Sequence, residues 1–503
     1  MKNISIKKIL IALSLIFIQA NAQAQSYFFE RVYDETLAQA SFVIGDLNTK
    51  EAIIIDPKRD IDTYLEIAKT KNLKITKIAE THIHADFLSG SRELKAVTGA
   101  ELLLSDEGGA DWQYLFPHTG LKDGSIITIG QVELKVMHTP GHTPESITFL
   151  VRDTQFPATP QRAITGDFIF AGDVGRPDLL EKAVGQIGSQ EIGAKQLYAS
   201  IQRFSKLPDD IEIWGGHGAG SFCGKSLSTI PQSTLKEEKQ NNKAFQFKNN
   251  EKGFVKYILD GQPTPPKYFA VMKHLNKVER PLLIQVPIYP KLNQRAFQAA
   301  IDNNLLIIDT RSKEEVAKGH IAGSLHIENG KLLSTWIGSL VDYQQQIVLI
   351  TDENNNEDLT RKLMRIGMDN IYGFVTDLDK MNLELEKYDL VTIDEFKKHL
   401  NKKEVQLIDV RTQSEYNSGH IKGVKNITLT SLENNLDKIN KDNPIIVHCQ
   451  SGVRAAMAYS ILRKNGFDNI KVYSGGINDW VKKENELSEG NKIFINKLKY
   501  KIQ

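Results

Sequence analysis

Cysteine is nearly missing: of 503 residues only Cys223 and Cys449 carry a thiol, far apart in the chain. Two cysteines in a chain this long exclude a disulfide framework, and the motif around each argues for a separate role. Charge of one sign is missing too, since 63 basic and 62 acidic residues leave a formal net charge of +1. No basic run is interleaved with aromatic residues, so neither nucleic acid nor an anionic membrane surface is expected as a partner. Beyond the first 24 residues no apolar run is long enough to cross a bilayer, so no membrane span is expected in the mature chain.

The N-terminus differs from the rest. Lys2, Lys7 and Lys8 precede an apolar run from Ile9 to Ile18, and small residues follow at Ala20, Ala22 and Ala24. A basic start, a short apolar stretch and an A-x-A site read as a secretory signal peptide over residues 1–24, which makes the expected protein exported and periplasmic. The length is too great for one core and suggests about three domains. Residues 25–240 alternate β-like runs with Gly- and Asp-rich loops; candidate strands include 42–44, 52–55, 75–79, 126–128, 132–136, 146–151 and 211–214. A polar stretch and the prolines Pro263, Pro265 and Pro266 mark a connecting segment over 241–280.

The last two hundred residues repeat themselves with a period near 100. Asp309-Thr310-Arg311 matches Asp409-Val410-Arg411, Gly319-His320-Ile321 matches Gly419-His420-Ile421, and Gly367-Met368-Asp369-Asn370 matches Gly466-Phe467-Asp468-Asn469. Each copy alternates strand and helix patterns, so two parallel-sheet α/β domains are expected over 281–388 and 389–488, followed by a tail over 489–503. The sequence leaves an oligomer possible.

What is plentiful is metal-ligand chemistry at loop tips. Thr81-His82-Ile83-His84-Ala85-Asp86-Phe87 places two imidazoles and a carboxylate at the C-terminal end of a predicted strand. His142 follows Pro140-Gly141, Asp167 follows Gly166, and His217 follows Gly215-Gly216. One loop histidine is usually just solvated; four separate segments in this order point to convergence above a sheet. His138, His118 and His274 have no such support. Arg176 and Asp178 are expected to pair and brace the metal loop, and Cys223 either assists sulfur transfer or is a small buried residue.

This order resembles the metallo-β-lactamase fold, an αββα sandwich, over roughly residues 27 to 235. Within it, Thr81 to Asp86, Gly172 to Asp178 and His217 to Lys225 look like persulfide dioxygenases. The resemblance implies one Fe(II) per chain on His82, His142 and Asp167, a donor set with open positions for oxygen and sulfur. Many dinuclear hydrolases carry a further His where this chain has Phe87. That leaves Asp86, His217 and a shared Asp167 for any second ion, while His84 and His217 are expected to orient water or substrate. Zinc is the alternative metal, and a glyoxalase II-like thioester hydrolase the alternative enzyme.

In the second repeat, a strand over 445–448 runs into Cys449-Gln450-Ser451-Gly452-Val453-Arg454 and then an Ala-rich helix. A thiol between a strand end and a helix N-terminus is favoured as thiolate or persulfide. The arrangement is similar to the rhodanese family, with Cys449 as nucleophile, Gln450 to Val453 as the persulfide-binding loop and Arg454 closing it. Four residues between Cys449 and Arg454, against five in related phosphatases, suit a single sulfur atom. The first repeat has Thr351 to Asn356 there, without Cys or closing Arg, and is expected to be inactive. Taken together, the resemblance implies oxidation of a small-molecule persulfide by O2 to sulfite, with sulfur exchanged between persulfide, sulfite and thiosulfate at Cys449. A periplasmic sulfur carrier without catalysis is the non-enzymatic alternative.

Overall fold

A computed structural model describes residues 27–155, 160–184, 188–225, 227–400, 402–483 and 485–488. The expected signal segment and C-terminal tail lie outside the described residues. In the N-terminal domain two six-stranded sheets face each other. The first runs in the order 27–34, 39–46, 51–55, 74–79, 101–105, 119–121; it begins antiparallel and turns parallel from the third strand onward. The second is ordered 233–234, 212–215, 162–166, 147–153, 132–138, 126–129.

Alternation along the strands decides what fills the space between the sheets. Phe42, Ile44, Ile53 and Ile55 of the first sheet meet Leu134, Val136, Phe149 and Val151 of the second. The opposite faces are apolar as well and need covering. Tyr64 and Leu94 from helices Asp62–Thr70 and Ser91–Thr98 cover one; Leu197, Ile201 and Phe204 from Ser189–Phe204 cover the other. The result is the αββα sandwich, and the metal-ligand segments leave it where strands 74–79, 132–138, 162–166 and 212–215 end.

The expected connecting segment is not a loose tether. Helix Glu251–Leu259 buries Phe254 and Ile258 in the N-terminal domain, and helix Phe269–Lys277 buries Phe269 and Met272 in one apolar cluster with Phe87 and Leu88. The polar composition that suggests a linker belongs to the solvent-facing sides of these helices, as at exposed Lys252 and Lys256.

The repeats fold as two fully parallel sheets, 325–326, 306–309, 347–350, 371–375 and 390–391, 470–473, 445–448, 406–409, 425–426. Asp309 pairs with Ile350 just as Asp409 pairs with His448, so Thr351 occupies the place that Cys449 holds in the second copy. Replacing fully buried Phe149 with Ala should destabilise the N-terminal sandwich by about 3–5 kcal/mol in urea unfolding. A loss under about 1 kcal/mol would contradict a close-packed interface between the sheets.

Candidate metal centre and cysteine loop

The strand Lys74–Ala79 ends three residues before His82, and the turn that follows is pinned by Asp56, which is buried. Asp56 accepts from the Thr81 backbone N–H at 2.7 Å and from its hydroxyl at 2.8 Å. With its proton given to Asp56, the Thr81 hydroxyl oxygen accepts from His82 Nδ1 at 3.0 Å. His142 Nδ1 donates to the Arg176 carbonyl at 3.0 Å. Both rings are thereby set in the tautomer that turns a bare Nε2 toward the centre.

Those bare atoms meet a carboxylate. Asp167 Oδ2 lies 3.5 Å from His142 Nε2 and 3.8 Å from His82 Nε2, and all three ligand atoms fall within 4.8 Å of one another. His82 Nε2 and Asp167 Oδ2 are buried without any hydrogen-bond partner. Atoms held about 2.0–2.2 Å from a shared ion are separated by roughly 3–3.5 Å, so the three residues fit a metal with little adjustment. Burial lowers the pKa of His82 and His142, while His217, overcoming the opposite effect of burial, holds the Asp167 carboxyl far below the usual carboxylate range. Neutral imidazoles beside an ionised carboxylate are the protonation states that metal ligands require.

His217 occupies the neighbouring position. Its Nδ1 bonds Asp167 Oδ1 at 2.7 Å and its Nε2 bonds Asp86 Oδ2 at 2.6 Å. Burial opposes protonation of this ring, but the two carboxylates outweigh it and raise its pKa well above that of ordinary imidazole. A cationic ring thus stands between the carboxylates that a second ion would share. The Cys223 thiol lies within 4.8 Å of the Asp86 and His217 ligand atoms. Burial, reinforced by Asp167, pushes it up to about 12, so it stays a protonated thiol, and it forms no disulfide. His84 turns away from the three-ligand group: its Nε2 bonds Asp56 at 3.0 Å, which overcomes burial and raises its pKa to about 9. Phe87 packs on the His84 ring with 4.4 Å between centroids.

Arg176 and Asp178 form a fully buried bidentate pair, both bonds 2.8 Å. The guanidinium also reaches the carbonyls of Phe222 and Pro263, while the Arg176 backbone bonds Cys223 and His142. One residue, through backbone and side chain, therefore ties the His142 turn to the Cys223 loop. Gly175 is needed beside it, because a Cβ there would lie 1.8 Å from the Asp167 carbonyl oxygen. His138 bonds the Pro144 carbonyl and His118 bonds Phe116 and Asp106, away from the centre.

In the second repeat, Cys449 follows strand Ile445–His448 and is buried; helix Val453–Lys464 begins four residues later, two residues earlier than the Ala-rich pattern suggests. Gly452 adopts φ 90°, and a Cβ there would meet the Ser474 carbonyl oxygen at 2.2 Å. The Cys449 and Gln450 carbonyls accept from the Ile477 and Asn478 N–H groups, and Gln450 Nε2 donates to Asn478 Oδ1. These bonds fix the loop against helix Gly476–Lys482. Arg454 closes the loop by gripping Glu415 with two 2.7 Å bonds. Glu415 escaped the sequence reading, although Thr412-x-x-Glu415 carries the signature of a helix capping box, which it also forms.

Family models extend the geometry. The metallo-beta-lactamase superfamily matches residues 35–217, and the rhodanese-like domain matches 293–379 and 392–483. A crystal structure of a metallo-beta-lactamase from Staphylococcus aureus subsp. aureus COL is 45% identical, with a TM-score of 0.65, covering 70% of this chain and 99% of that one. The chain belongs to the metallo-β-lactamase superfamily. Its superfamily domain is followed by two rhodanese-like domains, of which only the second has a cysteine at the loop. The human mitochondrial persulfide dioxygenase ETHE1 is 27% identical over 217 residues, 42% of this chain and 76% of that protein. A beta-lactamase hydrolase-like protein of Xylella fastidiosa (strain 9a5c) is 29% identical over 241 residues, and the chain spans half of that relative's length.

The Arg454–Glu415 pair gives a pH prediction. Burial alone would raise Glu415, but Arg454 prevails and holds it at about 2, against an ordinary 4.5. A depressed carboxylate contributes stability that is complete above the unfolded value and is lost as pH falls toward the folded one. Glu415→Gln should therefore flatten the fall in stability of the second repeat between pH 4.5 and about 2, read by denaturant unfolding at each pH. An unchanged acid slope would contradict the pair.

Proposed function

We propose that this chain is a mononuclear non-haem iron persulfide dioxygenase joined to a sulfurtransferase, oxidising a low-molecular-weight persulfide to sulfite. The observation that carries the reading is the convergence of three ligand atoms on His82, His142 and Asp167, those of His82 and Asp167 buried without a partner, beside a His217 ring held between two carboxylates. A hydrolase built on two ions uses both to generate and orient hydroxide. Iron(II) bound by two imidazoles and one carboxylate would supply open coordination positions for a persulfide sulfur and dioxygen. The similarity to persulfide dioxygenases and the attached rhodanese-like domains support the same chemistry.

The chain's own residues prepare the site. Thr81 and Arg176 fix the ring orientations of His82 and His142, and Phe87 contributes to an apolar wall. The overall change, RSSH + O2 + H2O → RSH + HSO3⁻ + H⁺, releases a proton. His217, held between Asp167 and Asp86 beside the centre, is the group placed to hold that proton, while His84 gives its Nε2 to Asp56.

At Cys449 the N-terminus of a 12-residue helix favours an anionic sulfur. Attack of sulfite on the outer sulfur of a Cys449 persulfide breaks the S–S bond and returns the thiolate: Cys-S-S⁻ + SO3²⁻ → Cys-S⁻ + S2O3²⁻. Both centres in one chain raise the local concentration of sulfite at its acceptor. The reverse reaction would instead charge Cys449 from thiosulfate.

We also propose that the protein is exported to the periplasm by residues 1–24; among the described residues no helix is long and apolar enough to cross a membrane. The discriminating assay is an oxygen electrode with iron-loaded protein and a small-molecule persulfide. Wild type should consume O2 and yield sulfite and thiosulfate. Cys449→Ser should keep oxygen uptake and sulfite while losing thiosulfate. Thioester hydrolysis by zinc-loaded protein, with no oxygen consumed by the iron form, would establish the hydrolase instead. Absence of any turnover would favour a sulfur carrier.

A further inference from the structure

The metal-binding loop is not completed by its own domain. Between His84 and Ser89, five backbone groups find partners in the C-terminal half of the chain. Asn276 Nδ2 donates to the carbonyls of His84 and Phe87, each at 2.8 Å, and Asn276 Oδ1 accepts from the Ser89 N–H at 2.9 Å. The Leu88 N–H donates to the Arg365 carbonyl at 2.7 Å, and Arg280 donates to the Ser89 carbonyl at 2.7 Å. Asn276 and Arg280 lie between the two matched family regions, and Arg365 lies within the rhodanese-like repeat that has no cysteine.

The anchoring is reciprocal. The Arg365 side chain returns to the N-terminal domain, bonding Asp60 at 2.8 Å and Asp34 at 2.9 Å. Arg59 crosses the other way to Asp369 at 2.7 Å and to the Met364 carbonyl at 3.1 Å. Phe87 and Leu88 share one apolar cluster with Phe269, Met272 and the repeat's own core.

We propose that Asn276 is a positioning residue for the metal-binding loop, and that the cysteine-less repeat with its leading helix is the scaffold holding that loop. Buried backbone groups must be paired, and a loop alone seldom holds ligands to the few tenths of an ångström a metal site needs. The Asn276 amide spans Asp86, bonding the residues at 84 and 87 on either side, and so directs the Asp86 carboxylate toward His217. Its planar amide uses both N–H groups and its oxygen at once, and no side chain of equal size and different polarity can do so. The inference concerns the loop and holds for any metal or substrate.

The test uses the full chain with Asn276→Asp and Asn276→Ala, titrating cobalt(II) into metal-free protein. Asp places a carboxylate oxygen against two carbonyls; Ala leaves them unpaired. Cobalt affinity should fall by about 10–100-fold and the visible cobalt bands should shift, while sulfur transfer from thiosulfate through Cys449 continues at the wild-type rate. Wild-type affinity and bands would overturn the proposal, and so would an equal loss of sulfur transfer, which marks general misfolding. Should neither variant fold, hydrogen exchange in the unaltered chain decides. Cobalt loading should slow exchange over 269–277 together with 80–90, because coupling between loop and scaffold is mutual. Unchanged exchange over 269–277 would refute it.

Discussion

The grip of Asp167 and Asp86 on the two nitrogens of His217 decides the character of the N-terminal domain. It spends one oxygen of each carboxylate on a cationic ring. Asp167 Oδ2 is then left facing His82 and His142, with Asp86, His217 and Cys223 grouped beside them. Everything nearby serves that division. Thr81 and the Arg176 carbonyl satisfy the outer nitrogens of the two ligand rings, so only their inner nitrogens remain available. Phe87 completes the separation by sending an aromatic ring, not an imidazole, into the apolar cluster next door.

The second centre uses the opposite device. Among the described residues no group of metal-ligand side chains includes Cys449; its loop is held by its carbonyls, which accept from the Ile477 and Asn478 N–H groups. Arg454 is committed to Glu415, which makes the closing contact a rigid strut. The metal-ligand loop and the cysteine loop are joined through the repeat that lacks a cysteine. That repeat reaches the metal loop through Arg365 and the leading helix. It reaches the helix behind Cys449 through stacked Tyr388 and Tyr459, 4.0 Å apart, and through the Glu386–Arg463 pair. A domain without a cysteine at that loop thus has a mechanical reason for its fold.

Much of this was legible in the sequence where chemistry and spacing coincide. The strand-end placement of His82, His142, Asp167 and His217 follows from apolar alternation broken by Gly turns, and the Cys449 loop from a strand, a Gly and an Arg in fixed order. The repeat was visible because Asp409-Val410-Arg411 and its earlier copy sit at equal registers. Asp56 and Asn276 were not legible, because each acts through one hydrogen-bond geometry with a partner 25 to 192 residues away and belongs to no local pattern; the capping box announced Glu415 but not its reach to Arg454, 39 residues away. The helices over 251–277 were hidden by their polar outer faces, and only tertiary burial of Phe254 and Met272 fixes them.

The central claim is a single metal ion on His82, His142 and Asp167, with His217 in the second position. Anaerobic titration of iron(II) into the metal-free full chain, followed by calorimetry, tests it most directly. The account predicts saturation at one ion per chain, abolished by Asp167→Ala. Saturation at two ions of comparable affinity would contradict it.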